Sequence, residues 1–345
     1  MIFSNNYSKE IKRLIAQPNT FIVTDENVFN LYKDLFKSDT VFVMSAGEAS
    51  KTLDTVIKIC EFLKDKNADR QSHLFAIGGG VVGDTAGFAA SIYMRGIAWT
   101  SVPTTLLAQC DSGIGGKTGV NFSNLKNILG TFYQPKQIII SAHFVDTLPE
   151  REFMCGVGEL VKTAALCKKV FAKWTLTQDK ILAKDHIALF NITMLAAKFK
   201  EKVVKKDLYE KRGIRKILNY GHTVGHAFES ADNQTLSHGE YVLHGILYEN
   251  LMLKDLIDPM FYYSIEAIIK TVLSDKKLSF DANAVVDAAC SDKKNQDKKI
   301  SILSVIKPGI YYETFLTKDE FKSKLLAAKG KLKNHQDETN SDKAD

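Results

Sequence analysis

Short apolar runs alternate with amphipathic stretches through the first third of the chain. TFIVTD (20–25), TVFVM (40–44) and HLFAIG (73–78) have the length and β-branched or aromatic content of strands. NVFNLYKDLF (27–36) and SKTLDTVIKICEFLKDKN (50–67) carry apolar residues at helical spacing, the second with Ser50 as its N-cap. Such alternation predicts a parallel sheet with helices on its faces, joined by right-handed crossovers. From about Thr147 the texture changes. TLPEREFMCGVGELVKTAALCKKVFAKWTLTQ and HIALFNITMLAAKFKEKVVKKDLYEKRG are helical patterns with no strand between them, and helices continue to about residue 290. SDKKNQDKKISILSVIKPGIYYETFL reads as a loop and a small hairpin, and TKDEFKSKLLAAKGK as a last helix. The expected division is an α/β domain over 1–148 and a mainly helical domain over 149–330. Residues 331–345 form a polar tail expected to be disordered.

Ligands on open parallel sheets bind beyond the carboxyl ends of the strands. That places Asp25, Gly47 to Lys51, Gly78 to Asp84, and Thr104 with Thr105 around one crevice. IGGGVVGD satisfies G-x-G-x-x-G through Gly78, Gly80 and Gly83, where a strand turns into a helix. No acidic residue closes a following strand about 20 residues on, so a nucleotide site and simple tight packing both remain open. The next segment carries Gly113, Gly115, Gly116 and Gly119 with Asp111, Lys117, Lys126 and Asn127, a polar glycine-rich loop able to hold an anion. It is not a P-loop, because Asp111 stands where that motif needs its first glycine.

Hydrophobic residues at 45% and charged residues at 25% describe an ordinary globular protein, and 345 residues suffice for two cores. The net charge of +6, with both signs interspersed, gives no reason to expect nucleic acid and suits a small anionic substrate. The 5 cysteines are scattered and never form C-x-x-C, so they read as reduced core residues of a cytoplasmic protein. MIFSNNYSKEIKR has no signal-peptide pattern, and the apolar stretch from Leu74 to Met94 is broken by glycines and Asp84; no membrane span is expected.

The candidate metal chemistry lies in RKILNYGHTVGHAFESADNQTLSHGE. His222 and His226 are one helical turn apart on one face, and His238 follows a short polar segment. Neutral imidazoles gathered in this way hold zinc-like ions. The plainer reading makes His222 a helix-start residue, His226 half buried and His238 a turn cap. In GVGELVK, Glu159 and Lys162 share a helix face, as an oxygen ligand beside a lysine or as a surface ion pair.

Taken together, these segments resemble the 3-dehydroquinate synthases. The similarity runs from about residue 20 to 316 through VTDENV, GEASK, GGGVVGDTAGF, YMRG, VPTTLLAQ, GGKTGVN, FYQP, TLPERE, GELVK, GIRKILNYGHTVGH, SHGE and DKKN. The resemblance implies a Rossmann-like dinucleotide-binding domain followed by a helical metal-binding domain, with the active site in the cleft between them. It implies Zn2+ or Co2+ on Glu159, His222 and His238, leaving His226 unligated, although spacing alone pairs His222 with His226. It implies NAD against Asp25, Asn27, Glu48, Lys51, Gly79, Gly80, Val81, Asp84, Thr104, Thr105, Lys126, Phe144 and Thr147. The substrate, 3-deoxy-arabino-heptulosonate 7-phosphate, would meet Arg95, Asp111, Lys117, Asn127, Lys162, Lys200, Arg215, Asn219 and Lys294, with Glu210 and His226 in proton-accepting positions. Lys117 and Lys162 also count among the catalytic candidates, and Arg95 suits a site shared across a homodimer. The implied chemistry belongs to the shikimate pathway: transient oxidation by NAD, β-elimination of phosphate, return of the hydride and aldol closure. One departure stands out, an extra residue between Glu210 and Gly213, which unsettles the register of Lys200 and Glu210 against Arg215.

Three other readings compete. A metal- and NAD-dependent alcohol or polyol dehydrogenase shares the two-domain plan but needs fewer anion-binding residues than Lys117, Asn127, Lys162 and Arg215. A cyclase for another sugar phosphate has less use for Arg215 and Asn219, which suit a carboxylate. A non-catalytic binding protein leaves the chemical groups unexplained.

Overall fold

The computed structural model describes the chain apart from residues 4–6, 37–38, 124, 233–234, 275, 292–298 and 342–345; the side chains of 7–8 and 333–341 also lie outside the description. By packing, the chain divides into two units, Met1–Gly156 with Thr177–Lys211, and Val157–Leu176 with Arg212–Asp345. The sequence pattern had set one boundary at residue 148. Packing sets it eight residues later and returns a long helix to the first unit.

The first unit contains β1 (Ile2–Phe3), α1 (Tyr7–Ile15), β2 (Thr20–Asp25), α2 (Glu26–Leu31), β3 (Val41–Met44), α3 (Leu53–Asp65), β4 (His73–Gly78), α4 (Gly80–Ile92), β5 (Ala98–Pro103), β6 (Lys117–Phe122), β7 (Leu125–Phe132) and β8 (Gln137–Ile140). Six strands form a parallel sheet in the order β1-β8-β5-β4-β2-β3. Alternation along the strands explains why both faces are covered. Phe21, Val23, Leu74 and Ala76 pack with Val56, Ile59 and Val82 on one side, and Ile22, Phe75, Ile77 and Val102 pack with Ile11, Val28 and Phe144 on the other. The order reverses between β2 and β4, so Asp25, Gly78 and Pro103 end three adjacent strands at the switch point.

Two local readings change. The N-cap of α3 is Thr52, whose hydroxyl accepts from Thr55 N, while Ser50 Oγ donates to the Gly47 carbonyl. The glycine-rich loop is an antiparallel ribbon, β6 paired with β7, in which Gly119 faces Gly130. A Cβ on either glycine would meet the opposite backbone, so the glycines permit close strand approach in place of a mobile loop.

α5 (Glu150–Leu166) and α6 (Lys168–Leu182) run through the division, and α7 (His186–Lys206) belongs to the first unit. The second unit adds α8 (His222–Ala231), α9 (His238–Met252), α10 (Pro259–Leu273), α11 (Ala282–Cys290), the antiparallel pair β9 (Ile300–Lys307) and β10 (Ile310–Leu316), and α12 (Lys318–Ser341). Its core joins Val224, Phe228, Tyr241, Tyr248, Phe280 and Ile302. The last helix extends to Ser341, past the expected start of the polar tail, because neither proline nor a left-handed glycine interrupts it. Among the described residues, no helix is long and apolar enough to cross a membrane.

Candidate active site

The second unit brings Glu159, His222, His226 and His238 together because glycines let three helices approach backbone to backbone. A Cβ on Gly158 of α5 would lie 2.4 Å from the Gly239 carbonyl oxygen of α9, and one on Gly245 of α9 would lie 2.0 Å from the Gly221 carbonyl oxygen before α8. Each glycine is next to, or shares its helix with, a candidate ligand. The first turn of α8 is held by Glu249, a buried carboxylate that accepts from Gly221 N at 2.8 Å and Val224 N at 3.1 Å.

Glu159 Oε1 lies 3.5 Å from His222 Nε2 and 3.6 Å from His238 Nε2. Two ligands of one tetrahedral zinc ion are roughly 3.4 Å apart, so each of these separations matches that of two ligands on one ion. Each imidazole is aimed by its other nitrogen, His222 Nδ1 on the Tyr220 carbonyl and His238 Nδ1 on Glu229, both at 3.0 Å. Both oxygens of Glu159 are buried, and Lys162 Nζ is ion-paired with Oε2. His226 stacks at 5.0 Å from His222 and 5.6 Å from His238, and its ring also falls within a three-histidine donor set. The anchored Nε2 atoms of His222 and His238 also face the Glu159 carboxylate, which makes a second donor set. The surface ion-pair reading of Glu159 and Lys162 fails, since both side chains are 1% exposed.

Burial opposes the charge on Glu159, yet Lys162 and His238 outweigh it and hold the carboxyl well below its usual range. Burial likewise opposes protonation of His238, but Glu159 and Glu229 prevail and lift it to about 9. Glu159 and Glu229 thus favour positive charge on the His238 ring. Arg215 is 4% exposed and sits with Asn219 in the turn Ile214–Asn219 that leads into α8.

Of the expected cofactor residues, Asp25, Gly79, Gly80, Val81, Asp84, Thr104 and Thr105 lie at or just beyond the carboxyl ends of β2, β4 and β5, while Glu48 and Lys51 follow β3, Lys126 is on β7, and Phe144 and Thr147 follow β8. Gly79 precedes α4 with no side-chain cap, and Cβ atoms on Gly79 and Gly80 would fall 3.0 Å from Thr105 and 3.2 Å from Ser112. The bare backbone and the open helix N-terminus suit a pyrophosphate, and Gly79, Gly80, Asp84, Pro103, Ser112 and Lys117 line a pocket there. Val81 lies in the first turn, and Thr104 N bonds to the Gly78 carbonyl.

Asp25 is committed to capping α2 through Val28 N, and burial raises its carboxyl pKa. Phe144 is a core residue against Tyr32, whose hydroxyl meets Thr147 Oγ1 at 2.6 Å. Lys126 is exposed on β7.

Lys51 Nζ pairs with Asp84 at 2.6 Å and also meets Asn127 Oδ1. Asn121, which the sequence did not single out, links Glu48 to Asn127 N. Cofactor and substrate candidates thus share one network. Lys200 Nζ bonds the carbonyl of Asp111 at 2.7 Å and its carboxylate at 2.8 Å, so this lysine is buried and not part of a solvated face. Lys117 pairs with Glu210 at 2.5 Å.

Arg95, Asn127 and Glu210 all adopt left-handed backbone, φ 68°, 55° and 56°. That costs roughly 1–2 kcal/mol per non-glycine residue and clusters at functional positions. Glu210 and Lys200 fall in the first unit and Arg215 in the second, and the segment with the extra residue spans the division. Lys294 lies outside the described residues.

Glu229 and Glu249 also escaped the sequence reading. Glu229 follows His226 by three residues on the same helix, a spacing that signals a shared face; for Glu249 there was no such signal.

Residues 41–155 match the family profile described as 3-dehydroquinate synthase N-terminal, and 156–295 match 3-dehydroquinate synthase C-terminal. The chain is 38% identical over 321 residues to a 3-dehydroquinate synthase of Alkaliphilus metalliredigens, covering 90% of each. Among solved structures it resembles 2-deoxy-scyllo-inosose synthase complexed with carbaglucose-6-phosphate, NAD+ and Co2+ (TM-score 0.81, 25% identity, 94% of this chain and 95% of that one). A 2-epi-5-epi-valiolone synthase from Streptomyces hygroscopicus subsp. jinggangensis 5008, with NAD+ and Zn2+ bound, shares the fold (TM-score 0.84, 22% identity, 96% of each chain).

Proposed function

The chain belongs to the 3-dehydroquinate synthase family, and from that premise we propose that it converts 3-deoxy-D-arabino-heptulosonate 7-phosphate to 3-dehydroquinate and phosphate. The reaction class is a carbon–oxygen lyase dependent on NAD and a divalent metal. The observation that carries this reading is the carboxylate and two imidazoles of Glu159, His222 and His238, spaced as ligands of one ion with Lys162 alongside.

When bound, NAD+ would take a hydride from the substrate and later return it, and Zn2+ or Co2+ would make a substrate hydroxyl more acidic. Gly79, Gly80 and Val81 hold the cofactor's phosphates at the start of α4, while Lys51 and Asp84 orient the groups beside them. Lys117, Lys162, Lys200 and Arg215 meet the substrate's phosphate and carboxylate, with Asn127 and Asn219 as hydrogen-bonding partners and Asp111 positioning Lys200. The Glu210 carboxylate now on Lys117 exchanges for a substrate anion and becomes able to accept a proton, and His226 is the second proton carrier.

We also propose a homodimer completed by Arg95. Ile92 and Met94, beside Arg95 in sequence, and Phe122, Leu125 and Ile128 on the glycine-rich ribbon expose large apolar side chains that a second copy could cover.

The deciding assay follows phosphate release from the heptulosonate phosphate with NAD present. Release without net NADH is expected. Accumulation of NADH from a simple alcohol would instead mark a dehydrogenase, and absence of both would overturn the reading.

A further inference from the structure

A second group of side chains of metal-ligating type lies within the first unit. After β8 the chain makes a tight turn over Ala142–Thr147, placing His143 and Asp146 three residues apart on one side. The turn is anchored from beneath by Phe144, which is 1% exposed, and by the bond between Thr147 and Tyr32. His186 meets it as the first residue of α7. The backbone there is set by Asp185, which caps Ala188 N at 2.8 Å.

His186 Nε2 contacts Asp146 Oδ1, and His143 Nδ1 lies 3.8 Å from Asp146 Oδ2. The two imidazoles stand edge to face at 4.7 Å, and one donor atom from each of the three residues falls within 4.8 Å of the others. Both imidazoles thus approach the one Asp146 carboxylate, His186 on Oδ1 and His143 on Oδ2. Two imidazoles and one carboxylate form a borderline donor set that suits zinc-class ions over magnesium or calcium. Donors around one such ion sit roughly 3.4 Å apart, so small side-chain rotations close the set. The side chains are 36%, 44% and 43% exposed, which lets an ion enter and keep water in its open positions.

We propose that His143, Asp146 and His186 form a second site for a divalent transition-metal ion of the zinc class, independent of the Glu159 set. Binding there ties the turn after β8 to the start of α7, the helix that carries Lys200.

The test counts ions on the full-length chain. Metal-free protein is dialysed against Zn2+ and analysed for bound zinc per chain. Wild type should take up two ions, the His143→Ala/His186→Ala variant one, and the His222→Ala/His238→Ala variant one. Asp146→Asn, which keeps the shape and removes the charge, should weaken the second ion by at least about tenfold. These exposed substitutions leave the core untouched, and circular dichroism with thermal melting checks the fold. The proposal is overturned if wild type saturates at one ion, or if a second ion binds the His143→Ala/His186→Ala variant as tightly as before.

Discussion

Glu159 Oε1 and His222 Nε2 are 3.5 Å apart, although 63 positions of sequence separate them, and His238 Nε2 is equally close to the same oxygen. Lys162 is ion-paired with the other oxygen of Glu159, and the two imidazoles add the neutral donors on which the proposed metal ion would sit. Exhaustive chelation should therefore abolish turnover, and Zn2+ or Co2+ should restore it. His238→Ala should lose the ion that His226→Ala retains. His226→Ala should lose turnover by roughly 10²–10⁴-fold, the usual contribution of a positioned proton carrier. Elemental analysis beside phosphate release reads both; full activity in chelated enzyme would refute the metal's role.

The approach of α5 to α9 depends on Gly158, where a side chain would press on the Gly239 backbone. Gly158→Ala should push the helices apart and destabilise the fold by about 1–3 kcal/mol, the ordinary effect of overpacking. Because Glu159 and His238 are the next residues on each helix, zinc affinity should fall with it. Zinc titration of the folded variant is the check. Unchanged affinity and melting temperature would mean that the helices can yield elsewhere.

The sheet was legible where buried parallel strands read as short apolar runs, as β2 and β4 do; β5, AWTSVP, is interrupted by Thr100 and Ser101 and was not read as a strand. The glycine-rich ribbon was not, since Gly119 and Gly130 serve strand contact where a sequence suggests a loop. Local spacing favoured His222 with His226, because periodicity sees only one helix at a time. Choosing Glu159 needed the crossing of α5, α8 and α9, which no local pattern contains; the family resemblance supplied it. The partners of the lysines were hidden for the same reason: Asp111 is 89 positions from Lys200.

Lys200 holds Asp111 and, on the proposed function, also offers a cation to substrate. Lys200→Met leaves the Asp111 carboxylate partly buried without its partner, costing about 1–2 kcal/mol. Adding Asp111→Asn should recover most of that stability. Substrate affinity should stay weak in both variants, since neither restores the charge. Thermal melts and the KM of phosphate release separate the two effects. A double variant with normal KM would limit Lys200 to a structural part.

His244 gives the second unit a pH-dependent stability. It lies on α9, 8% exposed, with Nε2 bonded to the Lys276 carbonyl at 3.2 Å. Burial lowers its pKa from 6.5 to about 4, against the Lys276 carbonyl and the charge of Glu240, which favour the proton. The folded chain therefore holds this proton less tightly than the unfolded chain. Its contribution is intact above pH 6.5, declines as the pH falls towards 4, and then levels off. The whole decline is at most about 3 kcal/mol. His244→Gln, which retains an N–H donor and cannot titrate, should flatten that part of the stability curve. Urea melts of both proteins across the interval decide the matter: identical slopes would show that His244 is not the group responsible.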